Sequence, residues 1–397
     1  MLVGAGSRHE TPETNGLSHF LEHMLFRGTD RYPSAYELNR SVEELGGILL
    51  GATHVDSTLL SVTVPPENLC GAVEILAEIL RAPAFTAIET EKRIAQEEIL
   101  EGLDEDGVDV DVDNVSRALL FSPHPLGFKI TGSADNIDRF DVEDLRDHMR
   151  AYYGGRNSVL CVAGALEPDR VFAAVRDSFR ALPPGERASV QAPALAGEGR
   201  RFAYVPHQGS QTDVRVCFPT FGERDPRFIP LKILSRILDD GMSTRVHRRI
   251  CDEMGLAYDA FAGADLYEDC GVFDLGAAAE HGKAPVVLEE LLRLVRELRD
   301  APVHPAELQK AQRRHAWDLS MSLDDDEAMA LFYGTNALFG YEDTLESLAE
   351  RATAVTAEQV LALAREIFRP EVLHVACVGV LDGAQVRATR DVFERYE

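Results

Sequence analysis

The most informative stretch of the sequence is NGLSHFLEHMLFRGT, residues 15–29. On a helix with about 100° per residue, Glu22 lies about 60° to one side of His19 and His23 about 40° to the other. All three side chains therefore project from one helix face. Two histidines four residues apart can chelate one metal ion, and the neighbouring carboxylate can act as a base on water. The H-x-x-E-H order favours a metal site over its alternative, a polar helix face without a metal.

A catalytic zinc site needs a third protein ligand. The acidic segment IETEKRIAQEEILEGL, residues 88–103, reads as a helix whose apolar residues define one buried face. Glu97 falls opposite this face, whereas Glu98 and Glu91 flank it. The periodicity therefore nominates Glu98 as the carboxylate that reaches an internal site, with Glu91 two turns earlier on the same edge.

Composition excludes several classes of protein. The 397 residues include 40 Lys and Arg against 67 Asp and Glu, for a net charge of −27. Duplex nucleic acids and anionic membranes select basic patches, so neither is an expected partner. No run of about 18 apolar residues is present to span a bilayer. The first residues do not resemble a signal peptide, and six scattered cysteines suit a reducing compartment, so we expect a cytoplasmic protein.

Two segments in different halves of the chain share one pattern. Residues 142–164 and residues 356–379 each read as a helix, a turn and a buried strand, and each strand is followed by another helix. Gly164 and Gly379 end the matching strands, 215 residues apart. The sequence therefore predicts two copies of one α+β domain in which helices pack on sheets.

A stretch rich in Pro, Gly and Ala separates the two halves, LPPGERASVQAPALAGEGR at residues 182–200. It has no sustained apolar period and reads as an interdomain linker. The predicted organisation is a metal-binding domain at 1–182, a linker at 183–200 and a second homologous domain at 201–397.

Several motifs together identify a family. They are GAGSRHETPETNGLSHFLEHMLFRGT (4–29), ELGG (44–47), EKRIAQEEI (91–99), HPLG (124–127), and DDGMSTRVHRR with MGLAY (239–258). In this order they resemble the pitrilysin/insulinase-type inverzincin metallopeptidases, in the short two-domain form similar to mitochondrial processing peptidase subunits. The resemblance covers nearly the whole chain.

The resemblance implies a fold and a set of roles. Each domain would be a mainly antiparallel sheet packed by helices, and the two would form half of a clamshell around a peptide chamber. Peptide would be held by adding a strand to a sheet edge. The implied residues are His19, His23 and Glu98 as Zn²⁺ ligands, Glu22 as general base, Glu91 beside a ligand, Tyr258 as a catalytic residue, and Gly51, Ala52 and Thr53 as substrate-binding residues.

Three positions depart from the family pattern. Cys251 stands where the family has an Arg seven residues before the Tyr, and Leu50 stands where it has an Asn that contacts substrate. Met1 falls where a family member would already be inside its first domain, so the usual first strands of the family are expected to be missing.

Three hypotheses follow. The first is a zinc endopeptidase that hydrolyses short or unfolded peptides as a homodimer or as a heterodimer with a related subunit. The second is a zinc-binding but weakly active subunit that requires a partner chain to supply the missing Arg. The third, a structural scaffold without activity, is disfavoured by the complete set of metal-site residues.

Overall fold

The structure of the protein is a computed structural model that describes residues 1–193 and 199–397, so residues 194–198 of the predicted linker lie outside the described residues. The chain forms two compact units. The first unit comprises Met1–Glu101, Phe128–Gln191 and Ser322–Glu342; the second comprises Gly102–Gly127, Ala192–Met321 and Asp343–Glu397.

Helices make up most of the regular structure. They are α1 (Leu17–Leu25), α2 (Ala35–Glu43), α3 (Leu69–Arg81), α4 (Ile88–Glu101), α5 (Val112–Phe121), α6 (Ala134–Arg139), α7 (Val142–Tyr152), α8 (Pro168–Ser178), α9 (Phe228–Leu238), α10 (Arg245–His247), α11 (Ala284–Asp300), α12 (Pro305–Met321), α13 (Asp326–Phe339), α14 (Leu345–Thr353), α15 (Ala357–Ile367) and α16 (Gly383–Arg395). A π-helical turn, Arg248–Glu253, continues α10.

The strands form one sheet in each unit. They are β1 (Leu2–Val3), β2 (Ile48–Thr53), β3 (Thr58–Thr63), β4 (Ser158–Val159), β5 (Arg201–Pro206), β6 (Thr212–Phe221), β7 (Ala257–Leu266), β8 (Cys270–Ala279) and β9 (His374–Gly379). The first sheet has the order β2-β3-β1-β4 and is antiparallel throughout. The second has the order β5-β9-β6-β8-β7, in which only β5 and β9 pair in parallel. The predicted α+β fold with mainly antiparallel sheets is confirmed.

Part of the register of the first sheet repeats in the second. Leu2 pairs with Val159 in the first sheet, and Cys217 pairs with His374 in the second. Each residue of the second pair lies 215 positions after its counterpart, the same interval that separates Gly164 from Gly379. The predicted repeat therefore extends to individual backbone pairs.

Each unit takes one helix from the opposite half of the sequence. Helix α5 contacts β5, β6 and β9 of the second sheet, and α13 contacts β1 and β4 of the first. The two units therefore differ from the predicted contiguous domains, 1–182 and 201–397. Residues 183–191 belong to the first unit, where the Arg187 guanidinium donates to the Leu338 carbonyl oxygen at 2.9 Å.

Individual elements follow the sequence closely. The helix predicted over residues 88–103 is α4, and α3 is preceded by a 3-10 turn (Pro66–Asn68). In the part of the chain that the structure describes, no helix is both long and apolar enough to cross a membrane.

A buried histidine lies behind α1 in the first unit. His148 is 6% exposed, and its Nε2 lies 3.2 Å from Ser18 Oγ. Burial lowers the pKa of His148 to about 3, and nearby His9 lowers it further in the same direction. Because the unfolded chain takes up this proton near its ordinary pKa of about 6.5, stability is complete above that pH and is lost as the pH falls.

We expect the free energy of unfolding of chelator-treated protein to depend less on pH in the His148→Gln variant. Between about pH 7.5 and about pH 5.5 the wild type should lose about 1.4 kcal/mol more than this variant. Urea unfolding at both pH values measures the difference. The exposed control His304→Gln should behave as the wild type, and equal pH dependence in all three proteins would contradict the assignment.

Candidate metal centre

The helix that carries the H-x-x-E-H residues is buried on almost every side. Helix α1 begins at Leu17, after Gly16 has turned the chain with a φ of 98°. Every residue of the helix except His23 is buried. Phe20 stacks on Phe140 with a ring separation of 6.3 Å. The apolar side chains thus fix the helix in the first unit, and its polar face is held in place with them.

His19, Glu22 and His23 come together on that face. Each offers one ligand atom, and these atoms all lie within 4.8 Å of one another. The H-x-x-E-H spacing therefore brings the three side chains together on α1, as predicted.

Helix α4 brings Glu98 to the same place. One carboxylate oxygen of Glu98 lies 3.5 Å from Nε2 of His19, and the other lies 3.5 Å from Nε2 of His23. Ligand atoms around a tetrahedral zinc with bonds of about 2.0–2.1 Å are separated by about 3.4 Å. The two imidazoles and Glu98 thus have the spacing of groups that share one cation, and this donor set fits zinc. Glu97, one residue earlier, is exposed.

Glu91 lies one layer further inside. Its side chain is 5% exposed, and its Oε1 lies 2.9 Å from Nδ1 of His23. Arg27 forms an ion pair and a hydrogen bond with the other oxygen of Glu91. A carboxylate on Nδ1 orients the ring and leaves Nε2 free to bind a metal.

The electrostatics of the cluster suit metal binding. Burial, aided by His23, lowers the pKa of His19 to about 4, so its ring is neutral at pH 7, as a metal ligand must be. Burial also lowers the pKa of His23, but the hydrogen bond to Glu91 and the surrounding carboxylates outweigh it and raise the pKa overall. Burial raises the pKa of Glu22, which favours a role as a base near neutral pH.

Strand β2 forms one wall of the site. Thr53 Oγ1 donates to a Glu22 oxygen at 3.4 Å, and a methyl group at Gly51 would overlap the Glu22 carboxylate and the Phe26 ring. These two residues share one face of β2. Ile48 and Leu50 lie on the opposite face, 67% and 55% exposed. β2 is also an edge strand of its sheet.

In the second unit, Tyr258 is the second residue of strand β7 and is 95% exposed. Cys251 lies in the π-helical turn Arg248–Glu253 and is half-buried. The two arginines nearby are already paired: Arg248 with Glu253, and Arg249 with Glu253 and Glu290. Both arginines thus have carboxylate partners within the second unit.

The surroundings of Cys251 are acidic. Burial raises the pKa of this thiol, and the carboxylates of Asp259, Asp252 and Asp239 raise it further. The thiol is thus neutral at pH 7, and it carries no positive charge toward a substrate.

The prediction of the site missed one member, Arg27. It lies in the turn that follows α1, two residues beyond Leu25, so helical spacing does not predict its contact with Glu91. The 3.4 Å hydroxyl contact between Thr53 and Glu22 had no sequence signal either, because it joins a strand to a helix across 31 residues.

Comparison with known proteins bears on this site. The sequence profile named Insulinase (Peptidase family M16) matches residues 1–129, and the profile named Peptidase M16 inactive domain matches residues 139–314. The chain belongs to the M16, or insulinase, family of peptidases.

Similar proteins carry consistent names. The uncharacterized zinc protease YmxG of Bacillus subtilis is 28% identical over 92% of this chain and 89% of its own length. The uncharacterized zinc protease Rv2782c of Mycobacterium tuberculosis is 29% identical over 92% of this chain and 84% of its own. The crystal structure of a protease from Helicobacter pylori has the same fold, with a TM-score of 0.88 at 21% identity, covering 96% of this chain and 92% of that one.

We expect Glu98→Gln to weaken the binding of added Zn²⁺ by more than the roughly 10–100-fold that a change outside the ligand set costs. The matched Glu97→Gln change removes the same charge one residue away, from an exposed position, and should leave the affinity within about twofold. Competition against a zinc chelator measures both constants. Equal losses in the two variants would show that α4 is assigned to the wrong face.

Proposed function

We propose that the protein is a zinc-dependent endopeptidase that hydrolyses short or unfolded peptides. The observation that carries this proposal is the convergence of both Nε2 atoms on the Glu98 carboxylate, with Glu22 on the same helix face. Membership of the M16 family and the names of its relatives support it.

In this proposal, His19, His23 and Glu98 hold the zinc ion. The bound metal would supply a Lewis acid that polarises a peptide carbonyl and makes water a stronger acid. Glu22 accepts the proton of the attacking water and returns it to the departing amine. Glu91 holds the ring of His23 in the orientation that directs Nε2 inward.

The substrate is proposed to lie along the free edge of β2. Of the substrate-binding residues Gly51, Ala52 and Thr53, the first and third lie beside Glu22, so a peptide that adds to the edge would bring its backbone to the base. Main-chain pairing favours any extended chain over a particular sequence. Leu50 leaves an apolar side chain where the family pattern has an amide. Tyr258 is the proposed catalytic hydroxyl of the second unit.

Replacing the base separates metal binding from catalysis. We expect Glu22→Gln to retain one zinc ion per chain while peptide hydrolysis falls by at least about 100-fold, the size of a lost general base. Elemental analysis and a fluorogenic-peptide assay give the two readouts.

The matched control is Glu97→Gln, which should keep both zinc and activity. A zinc-loaded Glu22→Gln protein with normal hydrolysis would disprove the base assignment. A wild-type protein that takes up no zinc would disprove the proposal as a whole.

One observation favours a second candidate function, a zinc-binding subunit that needs a partner to be fully active. The position of the family Arg holds Cys251, which is surrounded by carboxylates, and the adjacent arginines are engaged in ion pairs. The partner would be a related chain that supplies the missing cation. We also propose that the protein assembles as a homodimer or as a heterodimer with a related subunit, and that it is cytoplasmic.

The change Cys251→Arg distinguishes the two candidates. Loss of one preorganised donor costs about 10²–10³ in rate, so if the missing Arg limits this chain, restoring it should raise kcat/KM by at least about tenfold. Cys251→Ser is the matched control, because it removes the thiol without adding charge. Brisk wild-type hydrolysis that Cys251→Arg leaves unchanged or reduces would favour the self-sufficient enzyme.

A further inference from the structure

We propose that Glu10 is a positioning residue of the metal centre: its buried carboxylate anchors the first turn of α1 and offsets the positive end of that helix beside His19. This inference rests on the proposed function only in that a metal binds to α1. It concerns a residue outside the H-x-x-E-H motif that contacts none of the three ligands.

Glu10 performs the capping that the helix itself lacks. Gly16 precedes α1 and has no side chain to cap it. Instead, one Glu10 oxygen accepts the Gly16 N–H at 2.8 Å, and the other accepts the Ser18 N–H at 2.7 Å. The Asn15 side-chain amide donates to the carboxylate at 3.0 Å. Since the next residue after Ser18 is His19, the hydrogen bonds end one residue before the first ligand.

The turn before α1, which contains Asn15 and Gly16, is also fixed by contacts with a second part of the chain. The Asn15 amide also donates to the Lys129 carbonyl oxygen at 2.8 Å, and the Asn136 amide donates to the Asn15 carbonyl oxygen at 2.9 Å. A side chain at Gly16 would collide with the backbone of Gly132. The start of α1 is thus fixed from two directions, and Glu10 provides the contact that reaches the helix backbone.

The charge of Glu10 also matters to a bound cation. A helix N-terminus carries about half a positive charge, which opposes a divalent ion in the first turn. His19 lies in this first turn, as the third residue of α1. Glu10 is only 4% exposed, so solvent screens its charge weakly. Burial raises the pKa of Glu10, whereas hydrogen bonds from Ser18, Asn15 and Gly16 favour its ionised carboxylate and act to lower the pKa.

The test compares metal affinity with stability. In Glu10→Gln the amide keeps the size of the side chain but loses its charge and one acceptor. We expect zinc affinity, measured by chelator competition, to fall about 10–100-fold, as for other groups that orient ligands. The visible spectrum of the Co²⁺-loaded variant should change as well, because a shifted α1 alters the coordination of the ion. Glu10→Asp keeps the charge, and it should recover part of the affinity.

The control is Asp141→Asn. Asp141 caps α7 in the same unit, where it accepts the Glu143 and Asp144 N–H groups. It should lower the urea stability of the metal-free protein while leaving zinc affinity and the Co²⁺ spectrum unchanged. If Glu10→Gln behaves in the same way, with affinity within twofold of the wild type, Glu10 is only a structural cap and the inference is overturned. Should Glu10→Gln fail to fold, the affinity and spectrum of Glu10→Asp decide by the same criteria.

Failure of the proposed function gives a different result. A wild-type chain that binds zinc but hydrolyses no peptide, together with weakened zinc binding in Glu10→Gln, would leave this inference standing and remove the endopeptidase. Peptide hydrolysis by the wild type, together with unchanged zinc affinity in Glu10→Gln, would support the endopeptidase and overturn the inference about Glu10.

Discussion

The concentration of carboxylates around two imidazoles is the constraint on which the first unit depends. Glu22 is buried on α1, Glu91 is buried on α4, and Glu98 joins them from the same helix. Arg27 is the cation paired with Glu91. Negative groups held this close repel one another unless a positive charge lies between them. A divalent metal would supply that charge, and the 3.5 Å contacts of Glu98 lie where it would sit.

The packing of three elements makes this concentration possible. α1 is buried by its apolar residues, so its polar residues have no freedom to turn toward solvent. β2 approaches so closely that Gly51 has no room for a side chain beside Glu22. The geometry of the base and of the ligands is therefore set by the core. A substitution there should disturb the site even where it touches no ligand.

The second unit repeats the architecture with different chemistry. Its pairs β6–β8 and β6–β9 have the registers of β1–β3 and β1–β4 shifted by 215 residues, yet the helix pair α9 and α12 is joined by ion pairs. Arg236 binds Asp240 and Asp318, and Arg314 binds Asp240. Among residues 1–193 and 199–397, one group of three or more His, Cys, Asp or Glu side chains is close enough to hold a metal ion. It consists of His19, Glu22 and His23. Charge that a metal would balance in one repeat is balanced by arginine in the other.

Residue spacing in the sequence determined the local helical structure. The 3.6-residue period placed α1 and α4, set Glu98 and Glu91 beside the buried face and left Glu97 outside, because side-chain direction on a helix follows from residue spacing alone. Tertiary structure decided three other features: the exchange of α5 and α13 between units, the contact of Thr53 with Glu22, and the pairing of Arg27 with Glu91. Each joins segments far apart in the chain, and their meeting depends on how complete helices and sheets pack, which no local period encodes.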